Sequence, residues 1–139
     1  MNDRVFLDTN IVVYFYSENE PDKRGIACQL LDKYDCVTSI QVFNEANNVW
    51  LKKYNLKKAQ IIKYLDEIED VCNAIMLIRR ETIDAAIDLK DRYNYSYYDC
   101  LMLASALEAN CNVILTEDMS NNQIINGKLK IMNPFDIIL

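Results

Sequence analysis

With 139 residues, about half of them hydrophobic and a quarter charged, and only two glycines and two prolines, the chain is sized for one packed domain with little room for linkers. Its net charge of −6 argues against an unaided nucleic-acid binder, and the absence of histidine removes the commonest general base and metal ligand from any site it builds. No long apolar run exists, so no membrane span is expected, and Asp3, Arg4 and Asp8 break up the N-terminus too often for a signal sequence.

Val5, Phe6 and Leu7 read as a first strand, followed by a short helix over 11–16. Pro21 suits a first helical position, and Ala27, Leu30, Leu31 and Tyr34 then recur at helical spacing. Cys36, Val37 and Thr38 form a second strand. Ser39 can cap the next helix, whose apolar stripe is Val42, Phe43, Ala46, Val49 and Trp50. A helix over 56–70 carries Ile61, Leu65 and Ile68 in periodic positions, and 75–78 is a candidate third strand. Helices over 81–92 and 97–109 precede a fourth strand at Val113, Ile114 and Leu115. A polar turn with Asn126 and Gly127 then leads to Leu129–Met132, a candidate fifth. Strands alternating with helices imply crossover units and a mostly parallel sheet of four to five strands. The expected fold is α/β, a single-domain three-layer αβα sandwich over residues 1–139.

The five cysteines have no C-x-x-C spacing and no histidine to complete a zinc set. They are expected to be buried apolar residues in a reducing compartment, which points to the cytoplasm. Residues 46–65 contain five lysines and no acid, with Trp50, Tyr54 and Tyr64 among them. Such a basic stretch suits phosphate contacts, through Lys52, Lys53, Lys57 and Lys58, though it equally describes a solvated helix surface.

In a parallel sheet, residues that follow the strands share one edge, where ligands bind. Asp8 follows the first strand directly and Asp118 lies three residues past the fourth. Glu45 flanks the apolar stripe of the helix after Ser39, and Asp99 falls in the first turn of its own helix. Each has an ordinary structural role available. Asp8 can cap a helix, Ser96 to Asp99 resembles a capping box, Asp118 suits a turn, and Glu45 can flank a buried face. Their arrival at one edge is what needs explaining. Four carboxylates together repel one another and take up protons unless a cation neutralises them. An all-oxygen set favours Mg²⁺ or Mn²⁺, which activate bound water for phosphodiester hydrolysis without a protein nucleophile.

The segments FLDTNIVVY, TSIQVFNEANNVW, YNYSYYDCLMLASALEANCNVILTEDM and IINGKLKIMNPF resemble the PIN-domain ribonucleases, and more narrowly the VapC-type toxins of toxin–antitoxin pairs. The resemblance implies a PIN-like fold and a metal-dependent endoribonuclease whose Mg²⁺ or Mn²⁺ is held by Asp8, Glu45, Asp99 and Asp118. It further implies support from Asn10, Ser39 and Thr116, with Glu117 as an alternative to Asp118. Implied partners are a structured RNA such as transfer RNA, a small antitoxin and a second copy of the chain.

Two other readings bear on the same residues. A phosphotransferase of the haloacid dehalogenase type requires a second Asp where Asn10 stands, and a receiver domain requires a late lysine that TEDM does not supply. A PIN-like scaffold that binds RNA or protein without cutting stays open. Tyr93, Tyr95, Tyr97 and Tyr98 would then form its contact surface, unless they are half-buried packing.

Overall fold

The structure is a computed structural model and describes residues 3–136. Its strands are β1 (Arg4–Leu7), β2 (Asp35–Ser39), β3 (Ala74–Met76), β4 (Val113–Leu115), β5 (Ile124–Ile125) and β6 (Leu129–Met132). The helices are α1 (Thr9–Tyr14), α2 (Pro21–Lys33), α3 (Ile40–Lys52), α4 (Lys58–Val71), α5 (Arg80–Arg92) and α6 (Tyr97–Glu108). The sheet order is β3-β2-β1-β4-β6-β5, parallel throughout except where β5 pairs antiparallel with β6. The expected α/β architecture is present.

Register explains why the strands are apolar on both sides. Phe6 pairs with Val37 and Ile114, and Ile114 with Ile131, so these four line one face, and all are fully buried. Val5, Leu7, Cys36 and Leu115 line the other, where the Cys36 thiol meets the Leu30 carbonyl of α2. Both faces are covered by helices, as a parallel sheet requires. On the outer part of the molecule, Tyr16 stacks on Tyr64 with ring centroids 3.7 Å apart, and both rings meet Trp50 edge-on. That cluster ties the end of α1 to α3 and α4.

Three boundaries differ from the sequence expectation. The first helix starts at Thr9 because Asp8 caps it, so its first turn lies two residues earlier than the apolar periodicity suggests. The third strand is Ala74–Met76, ending before Leu77, which is exposed. The sheet has six strands because Ile124 and Ile125 turn back onto β6 through Asn126 and Gly127, both at positive φ (53° and 67°). Asn-Gly suits such a tight hairpin, and two residues are too few to show strand periodicity. Of the five cysteines, all free, Cys28 is exposed rather than buried. The other four are buried as expected, and burial pushes the Cys36, Cys72 and Cys111 thiols up to about 12. Tyr93, Tyr95 and Tyr97 are half-buried packing. The Tyr93 hydroxyl accepts from the Asn126 amide and that of Tyr95 from Ser120, bracing the hairpin, whereas Tyr98 is exposed. No described helix is long and apolar enough to cross a membrane.

The two glycines predict substitutions of opposite sign. Both have open space for a Cβ, but Gly127 sits at φ +67° and Gly25 lies inside α2. Gly127→Ala should therefore destabilise by about 1–2 kcal/mol, and Gly25→Ala should stabilise by roughly 0.5–1 kcal/mol. Urea denaturation of the two variants checks both signs.

Candidate active site

The sheet order reverses between β1 and β4, and the carboxyl ends of those strands frame the site. At the end of β1, the Asp8 amide continues the ladder to the Leu115 carbonyl (3.1 Å) while its side chain turns inward. Asp8 is only 4% exposed. One carboxylate oxygen accepts from the Thr9 amide (2.7 Å) and the other from the Thr116 hydroxyl (2.7 Å). The helix-cap role read from the sequence is real, and it holds the acid in place.

Thr116 is the hub. Its hydroxyl donates to Asp8 and accepts from the Asp118 amide (3.1 Å) and, at 3.4 Å, from the Asn10 side chain. Asn10 Nδ2 also donates to Asp118 Oδ2 at 2.8 Å, which turns this carboxylate toward β1. Asn10 Oδ1 is buried without a partner. Glu45, half-buried on α3, accepts from the Thr9 hydroxyl (3.0 Å) and from Gln41 one turn earlier (3.1 Å). Asp99 is half-buried in the first turn of α6, where the Ser96 hydroxyl accepts from its amide (3.1 Å). Ser39 does the same for α3, capping the Val42 amide at 3.2 Å, so it acts on the site only by starting the helix that carries Glu45.

The electrostatics couple Asp8 to Asp99 and Glu45, and Asp99 to Asp118. Burial raises the Asp8 carboxyl from 3.8 to about 7, against the two hydrogen bonds that favour its ionised form, and the charges of Asp99 and Glu45 raise it further. Burial also raises Asp99, with Asp118 adding to the effect. Asp8 and Asp99 thus each feel like charge from another acid of the predicted set. Among the described residues, however, no three acids, cysteines or histidines are drawn into a set that could hold a metal ion as they stand. The donors are of the right kind for a hard cation that keeps several of its waters, and the unpaired Asn10 Oδ1 adds another oxygen beside them.

Glu117 points elsewhere. One of its oxygens accepts from Lys23 Nζ at 2.8 Å and the other from the Tyr14 hydroxyl. Sequence reasoning missed Thr9, Gln41, Tyr14 and Lys23. Gln41 lies four residues before Glu45, a spacing that could have identified it. Lys23 and Glu117 are 94 positions apart and left no such signal. Lys52, Lys53, Lys57 and Lys58 are all exposed. Lys53 lines a cleft of about 390 Å³ together with Glu45, Asn10, Tyr54 and Asp118, so the basic stretch reaches the acids at this one point.

The PIN domain family matches residues 5–122 of the chain. No curated protein matches its sequence. The fold is similar to that of VapC20 from Mycobacterium tuberculosis, described as a sarcin–ricin loop cleaving toxin (TM-score 0.65, 15% identity, covering 79% of this chain and 86% of that one). It is also similar to a toxin–antitoxin complex from Klebsiella pneumoniae (0.68, 21%, 94% and 97%). A third is VapBC2 from Rickettsia felis bound to a promoter DNA fragment (0.64, 19%, 92% and 98%).

The raised Asp8 carboxyl links the site to stability. Between 3.8 and about 7 the folded chain holds a proton that the unfolded chain releases. This contribution is complete below the lower value and is lost as pH rises through about 7. In chelator, Asp8→Asn should therefore gain melting temperature relative to the parent protein as pH is raised from 5 to 8. The lost acceptor adds an offset that does not vary with pH. A difference that stays constant from pH 5 to 8 would count against a buried, raised carboxyl.

Proposed function

We propose that this chain, which belongs to the PIN-domain family, is a metal-dependent endoribonuclease acting as the toxin of a toxin–antitoxin pair. Residues 1–139 would form one such domain working in the cytoplasm. The observation that carries this reading is the buried Asp8 at the switch point of the sheet, raised to about 7, linked through Thr116 to the Asp118 backbone and lying at the edge where Glu45 and Asp118 line one cleft. A surface with a purely structural role gains nothing from that arrangement. A cation site does, because the ion supplies the charge that the fold withholds.

Asp8, Glu45, Asp99 and Asp118 would hold Mg²⁺ or Mn²⁺, with Asn10 Oδ1 available beside them. When bound, such an ion lowers the pKa of a water and offsets charge on the phosphate. The rest is the work of the chain. Thr116 and the Thr9 amide keep Asp8 oriented with both oxygens fixed. Asn10 holds Asp118 toward the other acids. Thr9 and Gln41 keep Glu45 aimed across the cleft. A carboxylate of this set that is not engaged by the ion would accept the proton released by the attacking water. Lys53 on the cleft rim, followed by Lys52, Lys57 and Lys58, would contact the RNA backbone and offset the −6 charge of the chain.

The described relatives support the remaining parts of the proposal. Two of them are toxin–antitoxin assemblies and one is described as a sarcin–ricin loop cleaving toxin. A structured RNA such as transfer RNA is therefore the proposed substrate, with a small antitoxin and a second copy of the chain as proposed partners.

Purified protein should cleave total cellular RNA only with added Mg²⁺ or Mn²⁺. Asp8→Asn and Asp99→Asn should each slow cleavage by about 100-fold or more while leaving the fold intact. Undiminished cutting in EDTA would reject the metal, and metal-independent RNA binding without cutting would favour the scaffold reading. Replacing Lys52, Lys53, Lys57 and Lys58 with Gln should weaken RNA binding and flatten its salt dependence, by about 0.7 in the log–log slope per lost phosphate contact. An unchanged slope would mark the stretch as solvated surface.

A further inference from the structure

Two adjacent acids, Glu117 and Asp118, follow β4, and either is close enough in sequence to serve as the fourth carboxylate. The structure separates them sharply. Both Glu117 oxygens are engaged elsewhere, one by Lys23 Nζ at 2.8 Å and one by the Tyr14 hydroxyl. Lys23 Nζ also donates to the Tyr14 hydroxyl (3.2 Å) and lies 5.0 Å from the Tyr14 ring centroid and 5.2 Å from that of Phe135. Those two rings meet edge-on at 5.2 Å. An ammonium in the corner of two touching rings is held by cation–π attraction as well as by its ion pair.

Phe135 belongs to the terminal Asn-Pro-Phe segment, which the site described above does not use. That segment is anchored in turn. The Phe135 amide donates to Asn133 Oδ1 (2.9 Å) and the Asn133 amide to Asn121 Oδ1 (2.9 Å), in the loop beyond Asp118. Residues 116–118 are therefore pinned at three successive side chains, Thr116 to Asp8, Glu117 to Lys23 and Asp118 to Asn10.

We propose that Lys23, held against Tyr14 and Phe135, is a positioning residue that commits Glu117 to itself and so leaves Asp118 as the carboxylate facing Asp8, Glu45 and Asp99. The inference rests on the reading of these acids as a divalent-cation site. Lys23 touches neither these four acids nor the cleft-lining lysine. It acts through the backbone between Glu117 and Asp118.

The test uses the full chain without RNA. Mn²⁺ affinity is measured by electron paramagnetic resonance of the free ion, and amide hydrogen exchange over residues 116–120 is measured in metal-free protein. Lys23→Met should weaken Mn²⁺ binding by about 10-fold or more and speed exchange in that segment. In an Asp118→Asn background it should cause no further loss of Mn²⁺ affinity, because both changes act on one ligand. Phe135→Leu keeps the ion pair and removes one of the two rings, so it should give a smaller loss in the same direction and serves if Lys23→Met does not fold. Unchanged Mn²⁺ affinity and exchange in Lys23→Met would overturn the inference, as would an equal loss with and without Asp118. Absence of Mn²⁺ binding by the parent protein would instead overturn the metal-site reading, and the exchange measurement would still decide whether Lys23 holds the segment.

Discussion

The structure depends on one unfavourable act, the burial of the Asp8 carboxylate at the end of its central strand. β1 is covered on both faces, and the residue that follows it is only 4% exposed. Two short hydrogen bonds, from the Thr9 amide and the Thr116 hydroxyl, favour its ionised form but do not outweigh desolvation and the charges of Asp99 and Glu45. A fold selected for stability alone would place an apolar residue or an asparagine here. Retaining the acid means retaining a group that is relieved only by a proton or by a cation.

The placement of the other acids uses ordinary helix-start chemistry. Asp8, Ser39 and Ser96 each cap a helix, and the helices they start, α1, α3 and α6, carry or border the candidate ligands. Asp99 lies in the first turn of α6 and Glu45 in the second turn of α3. Both acids are near the electropositive end of their helix, where negative charge is tolerated best. The structural and functional readings of these residues are therefore not rivals. The cap sets where the helix begins, and the helix phase then sets where the carboxylate points.

What the sequence disclosed follows from the range of the interactions involved. Buried strands such as Val113–Leu115 and capped amphipathic helices such as α3 are specified by residues close in the chain, and their positions were legible to within a turn. That Asp8 and Asp118 follow adjacent strands β1 and β4 at one edge was legible because parallel topology turns sequence position into spatial position. The short hairpin strand β5 was not, since two residues carry no periodicity. The pairing of Glu117 with Lys23 was not legible either. It depends on how α2 packs against the loop after β4, and side chains 94 residues apart announce no such contact.

Charge compensation links these observations. The chain has 15 basic side chains, yet among the described residues no salt bridge reaches Asp8, Glu45, Asp99 or Asp118. Lys23, beside the Asp118 loop, is paired with Glu117. Lys53 on the cleft rim lies over the Tyr54 ring, at 5.6 Å from its centroid, with its charge free to meet solvent or a phosphate. Polar donors alone, from Thr9, Asn10, Gln41 and Thr116, orient Asp8, Glu45 and Asp118 without neutralising them. Hydrogen bonds of this kind fix direction without supplying an opposite charge. A site organised in this way is preset in geometry but incomplete in charge, and the missing charge has to be brought by whatever binds there.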